Sequence, residues 1–243
     1  MRVRDLEDEE SEHLLSMLGC ETMVAALLAM VLVSRPIRVM PLGDSITYGF
    51  TRPQSLICGG YRRELFSRLR GVVSVGTLED QEGHCGWTSQ QLEQSLPVFL
   101  KTKPDVILLM AGANDIMMAH ENSRITADHI LHLVRTIHFL SPKVKILLST
   151  LSPLRTLHGA PGNYNGRAEA VNQLLRSSKM PEGATLVNVG GTLKPWDICD
   201  HAHPNHRGYH HMTMLWMRAL SKATNQKSGE LPFRNPPRKL QNR

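Results

Sequence analysis

The sequence predicts an α/β fold: a three-layer α/β/α sandwich around a central five-stranded parallel sheet. Three observations predict it. From residue 37 onward, short apolar runs alternate with amphipathic stretches five times, the pattern of strands joined by helical crossovers. The run VILLM at 106–110 is apolar at every position, as a strand buried on both faces of a parallel sheet must be. The composition is ordinary for a globular domain, 41% hydrophobic and 21% charged over 243 residues. That excludes a wholly disordered, collagen-like or multi-span membrane chain.

Each element has its own signal. Residues 37–42 (IRVMPL) read as the first strand, running into Gly43-Asp44-Ser45. Tyr61, Leu65 and Leu69 recur at i, i+4 and i+8, which predicts a helix over 61–70. Residues 72–75 read as a short strand. Thr88 and Gln91 stand in capping-box spacing before Leu92 and Leu96, a helix over 88–100 that Pro97 ends or bends. After the strand at 106–110, Ile130, Leu133, Val134 and Ile137 predict a helix over 126–140, stopped near Pro142. A strand at 144–149, a helix at 164–178, a strand at 185–189 and a last helix at 205–222 complete the series. Met212, Met214 and Met217 beside Trp216 read as core packing on that helix.

One domain is expected over 37–221, with an extension at 1–36 and a basic tail at 222–243. The tail carries six cations against Glu230, and residues 1–22 carry two arginines against seven carboxylates. Segments so charged, without periodic apolar faces, are expected to be solvated and disordered. The tail has one aromatic, Phe233, hence no stacking platform, and no nucleic-acid partner is expected. The apolar run at 23–33 (MVAALLAMVLV) is shorter than the ~20 residues a membrane span needs. Three readings of it stay open: a signal-peptide core behind an acidic segment, a helix packed on the body, or a start at Met23.

Four segments carry chemistry. Gly43-Asp44-Ser45 follows the first strand, where a serine is exposed at a sharp turn. Gly83-His84-Cys85-Gly86-Trp87-Thr88 offers a glycine whose N–H can turn toward a ligand. Gly112-Ala113-Asn114-Asp115 follows VILLM and offers an amide donor at a strand end. In Asp200-His201-Ala202-His203, an aspartate three residues before a histidine can accept its Nδ1–H and leave Nε2 free as a base. Singly, these are a capped turn, a loop, an Asx turn and a surface histidine. The fold places all four at one rim, beyond the carboxyl ends of the strands.

In this order, the four blocks resemble the SGNH, or GDSL-type, hydrolase superfamily over roughly residues 37–220. The resemblance implies a flavodoxin-like fold, Ser45 as nucleophile, Asp200 and His203 as its partners, and Gly86 and Asn114 as block residues. More finely, MPLGDSITYG, GGYRREL, EGHCGWT, KPDVILLMAGANDI and HPNHRGY are similar to carbohydrate esterase family three. That implies deacetylation of xylan-type polysaccharides; the compartment stays open, secretion being one reading the resemblance allows and no clear signal peptide marking it. Cys85 departs from the small residue relatives often carry, and 151–163 shows few family-like features.

The chemistry is coherent on its own terms. Ser45 Oγ needs a base, His203 supplies it, and Asp200 orients the ring and stabilises the imidazolium. The N–H groups of Ser45 and Gly86 and the amide of Asn114 are candidate oxyanion donors, each worth ~3–4 kcal/mol of barrier. Trp87 lines the cleft or covers the sheet edge, the cleft being the expectation. No cofactor and no metal are required. A metal site among His201, His203, His206, His210 and His211 is the rival, but no acidic residue completes a three-ligand pattern there. Cys58, Cys85 and Cys199 are free or paired, a Cys85–Cys199 bridge being one arrangement. The leading function is a serine ester hydrolase acting on acetylated carbohydrate, its partner an acylated small molecule or polysaccharide. The alternatives are a lipase-, lysophospholipase- or thioesterase-like hydrolase, and a binding protein that kept the fold without turnover. No dinucleotide or P-loop motif follows a strand.

Overall fold

A computed structural model describes residues 35–51, 59–155 and 163–224. The expectations for 1–22, 23–33 and 226–243, and Cys58, lie outside the described residues. In chain order the elements are β1 Ile37–Gly43, α1 Ser45–Tyr48, α2 Gly60–Arg68, β2 Val72–Ser74, β3 Glu82–Gly83, α3 Ser89–Phe99, β4 Val106–Met110, α4 Ala113–Met117, α5 Ser123–Leu140, β5 Lys145–Ser149, α6 Tyr164–Ser177, β6 Ala184–Val187 and α7 His206–Ala223.

The strands form one sheet in the order β2-β1-β4-β5-β6, every pair parallel. The five expected strands all form. A sixth, β3, lies outside the sequence expectation: its two residues pair with Leu42 and Gly43 at the end of β1. The chain winds from β1 to β2 on one side and then from β4 to β6 on the other. The direction therefore reverses between β1 and β4, the position where such sheets open a crevice.

Alternation sorts the strand side chains into two cores. Met40, Leu42, Ile107, Leu109, Ile146 and Leu148 pack with α3, α5 and α6. Val39, Val106, Leu108 and Leu147 pack with Tyr61 and Leu65 of α2 and Tyr209, Met212, Trp216 and Met217 of α7. Both faces of the sheet are covered, which is why VILLM carries no polar position.

Caps set the helix starts. Thr88 accepts from the Gln91 N–H while the Gln91 side chain accepts from the Thr88 N–H, a complete capping box. Asn122 caps α5 and Asn205 caps α7. Pro97 does not end its helix, which continues to Phe99. Placed near the C-terminus with its ring exposed, it removes a single hydrogen bond. The last helix runs through Ala223, one residue past the expected end at 222.

Candidate active site

The site is built from the end of β1 outward. Gly43 must be glycine: a Cβ there would lie 2.2 Å from the Met110 carbonyl oxygen and 2.5 Å from Thr47 Oγ1. Asp44 then caps α1, its Oδ1 accepting from the Ile46 N–H at 2.9 Å. This tight turn presents Ser45 as the first residue of α1.

Ser45 Oγ lies 2.8 Å from His203 Nε2, and His203 Nδ1 lies 2.8 Å from Asp200 Oδ2. Asp200 Oδ1 accepts from the N–H groups of Ala202 at 3.0 Å and His203 at 2.9 Å. The aspartate thus folds back over its own loop, as the three-residue spacing requires. An ionised carboxylate only accepts, so Nδ1 carries the proton and Nε2 is left to accept from the serine hydroxyl. Burial pushes the Asp200 carboxyl up, but the two backbone N–H groups, the His203 side chain and its charge outweigh that and hold it at about 2. Asp44 goes the other way. Burial dominates there, against the Ile46 N–H and with the like charge of Asp115 adding, and its carboxyl rises to about 7.

The loop bearing Asp200 and His203 is braced from several sides. Ile198 and Pro204 form a bridge across its base, and the Cys199 N–H donates to the His203 carbonyl at 2.9 Å. The Arg155 N–H donates to the His201 carbonyl at 2.7 Å, and its guanidinium donates to the carbonyls of Ile198 at 3.3 Å and Pro195. The Phe50 ring packs on the His203 ring at 4.5 Å between centroids, and Phe50's own carbonyl is held by the Tyr209 hydroxyl at 2.6 Å. Sequence reasoning missed Phe50, Arg155 and Tyr209. Phe50 lies five residues beyond Ser45, behind the left-handed Gly49, and no spacing rule marks it.

The second and third blocks meet beside Ser45's strand. The His84 N–H donates to the Gly43 carbonyl at 2.9 Å, tying the loop to the end of β1. Gly86 is exposed with φ +82, and no atom stands within 4 Å of where its Cβ would project. The Asn114 amide donates to the Trp87 carbonyl at 2.9 Å. One of its two N–H groups therefore holds the Gly86–Trp87 loop instead of pointing freely into the cleft. The Trp87 ring stacks on His84 at 4.1 Å and packs on the core beneath it. Behind them, Asp115 is fully buried and accepts from the N–H and hydroxyl of Ser89 at the start of α3.

Two further histidines of the cluster have separate acidic partners. His210 faces Glu64 at 2.9 Å, and His211 faces Asp197 at 3.7 Å. Among the described residues, one group, Asp115, Glu121 and His129, brings possible metal-ligating atoms within 4.8 Å of one another. Those atoms already serve Ser89 and each other. Cys85 and Cys199 are free thiols, so no bridge joins them.

A family model described as the GDSL-like lipase/acylhydrolase family matches residues 42–211, from the end of β1 into α7. The chain belongs to that family. Membership places it among GDSL-like lipases and acylhydrolases. A multidomain esterase from Ruminococcus flavefaciens is 28% identical over 227 residues, 76% of this chain. The chain spans 28% of that relative's length. Among solved structures, a carbohydrate esterase family 3 protein from Talaromyces cellulolyticus superposes with a TM-score of 0.59 at 20% identity, covering 78% of this chain and 99% of that one. A family 3 carbohydrate esterase from Clostridium thermocellum gives 0.58 at 24% identity, covering 78% and 98%. These two likenesses show a shared fold. Among the described residues, no helix is long and apolar enough to cross a membrane.

Proposed function

We propose that the chain hydrolyses carboxylic esters through an acyl-serine on Ser45 and that its substrate is an acetylated carbohydrate. The observation that carries this reading is the continuous line Asp200–His203–Ser45, with 2.8 Å at each step. His203 Nε2 takes the hydroxyl proton as Ser45 Oγ attacks the ester carbonyl. Asp200, held ionised, stabilises the imidazolium that results. The N–H groups of Ser45 and Gly86, with the second N–H of Asn114, serve the oxyanion. The alcohol leaves with the proton from His203, and water, deprotonated by the same ring, releases the acid. The carbohydrate assignment is supported by likeness to family 3 carbohydrate esterases.

The test is turnover of p-nitrophenyl acetate against butyrate, octanoate and acetylated xylan. The expected result is hydrolysis of acetate well above octanoate and release of acetate from xylan. Ser45→Ala should abolish it, and Asp200→Asn should cost up to ~10⁴ in kcat. A preference for octanoate would replace the carbohydrate substrate with a lipid one. Full activity in Ser45→Ala would overturn the mechanism.

A further inference from the structure

The rim opposite Ser45, where strands begin and helices end, has its own chemistry. The Ile37 N–H bonds the Gly71 carbonyl, the Arg38 guanidinium bonds the carbonyls of Thr102 and Lys103, and the Lys145 ammonium bonds the Ala223 carbonyl. These contacts gather the starts of β1 and β5 and the ends of α2, α3 and α7 on one face. Exposed on it are Lys101, Lys103, Lys143, Lys145, Lys179 and Lys222. The carboxylates there are Asp105, which accepts from the Arg38 N–H, and Glu182, which faces His138. On the opposite rim the charges are mixed: Asp80 pairs with Arg62, Asp197 with Arg207, and Arg155 donates to the Asp200 loop. The six exposed lysines therefore make the rim where strands begin the one with a clear excess of a single sign.

The basic rim also shows large apolar side chains to solvent. Phe139 is 82% exposed, Val98 52% and Leu140 44%. They lie at the C-terminal ends of α3 and α5, helices that pack side by side. Lysines at helix C-termini are ordinary compensation for the helix dipole. That compensation gives no reason for a phenylalanine exposed at the end of α5, four residues before the exposed Lys143. Basic side chains ringing exposed apolar tips are what an anionic lipid surface binds, the cations meeting headgroups and the tips entering the acyl boundary.

We infer that this rim docks the protein peripherally on an anionic membrane surface, with Ser45 facing away from it. Charge complementarity selects the lipid headgroup, and Phe139, Leu140 and Val98 select a bilayer over a purely polar polyanion. The inference is independent of the ester substrate.

The test is co-sedimentation of the full chain with vesicles of phosphatidylcholine alone and with 30 mol% phosphatidylserine, in 0.1 M salt. The expected result is binding to the phosphatidylserine vesicles only. Lys101→Gln/Lys103→Gln/Lys143→Gln should weaken it about 100-fold, from the contribution of each cation at an anionic surface, and Phe139→Ser/Leu140→Ser should weaken it by at least tenfold. Both variants should keep the p-nitrophenyl acetate rate and melting temperature of the parent. Absence of binding, or binding untouched by the lysine changes, would overturn the inference. So would displacement by a DNA duplex together with full binding of Phe139→Ser/Leu140→Ser, which would mark a general polyanion surface.

Discussion

Asp44 and Asp200 lie on the same rim and titrate in opposite directions, and the sign of each has a consequence. Asp44 rises from 3.8 to about 7 through burial. Between those values the folded state holds a proton that the unfolded state has released. Its contribution to stability is whole below pH 3.8 and is lost as pH rises through about 7. Asp200 falls from 3.8 to about 2, so its contribution is whole above pH 3.8 and is lost only as pH drops through about 2. The window from pH 4 to 7 therefore isolates Asp44. Asp44→Asn keeps an oxygen for the Ile46 N–H and should flatten the melting-temperature profile across that window, gaining most on the parent at pH 8. An identical slope in both proteins would show that the carboxyl is ionised throughout. Phe50 is the second residue to test. Its ring against His203 favours an imidazolium, so Phe50→Leu should lower kcat about three- to tenfold with KM little changed. A change in KM alone would make Phe50 a substrate contact instead.

Among the elements, those with a full period of apolar residues were legible in the sequence. VILLM and the Ile130–Leu133–Val134–Ile137 face lie where their patterns put them, as β4 and α5. The short elements were not. The four residues of α1 and five of α4 span too little helix to show a period, and they exist because Asp44 and Gly112 turn the chain after a strand. The two residues of β3 are strand only because Leu42 and Gly43 lie beside them. The site divides in the same way. Ser45, Asp200 and His203 announce themselves through spacing along the chain, whereas Phe50 and Arg155 reach the site by tertiary packing. Gly43 joins the two kinds, a motif residue with a packing reason. Gly43→Ala would push a methyl into the Met110 carbonyl. The expected cost is about 1–3 kcal/mol, or roughly 2–12 °C in melting temperature. An unchanged melting temperature would mean that β1 and β4 can part at that point.

The whole molecule places its parts by strand direction. Three of the sequence blocks follow strand ends and the fourth, Asp200–His203, is brought to the same rim by its contact with Ser45, while the helix C-termini and their lysines share the other. The last described residue, Thr224, caps α7, the helix whose end is tied to Lys145 on the basic rim. A chain ended at Thr224 should accordingly keep the ester-hydrolysis rate and the melting temperature of the full chain. A large loss in either would make residues 225–243 part of the body. The proposed hydrolysis turns on one bond being made, that between Ser45 Oγ and the acyl carbon of an ester. The measurement closest to it is labelling with a fluorophosphonate, whose adduct does not hydrolyse on the time scale of turnover. Peptide mapping should find one phosphonyl group, on Ser45, formed in step with loss of activity and slowed severely in His203→Ala but little in His201→Ala. A label on Cys85 or any other residue, or equal rates in the two histidine variants, would contradict it.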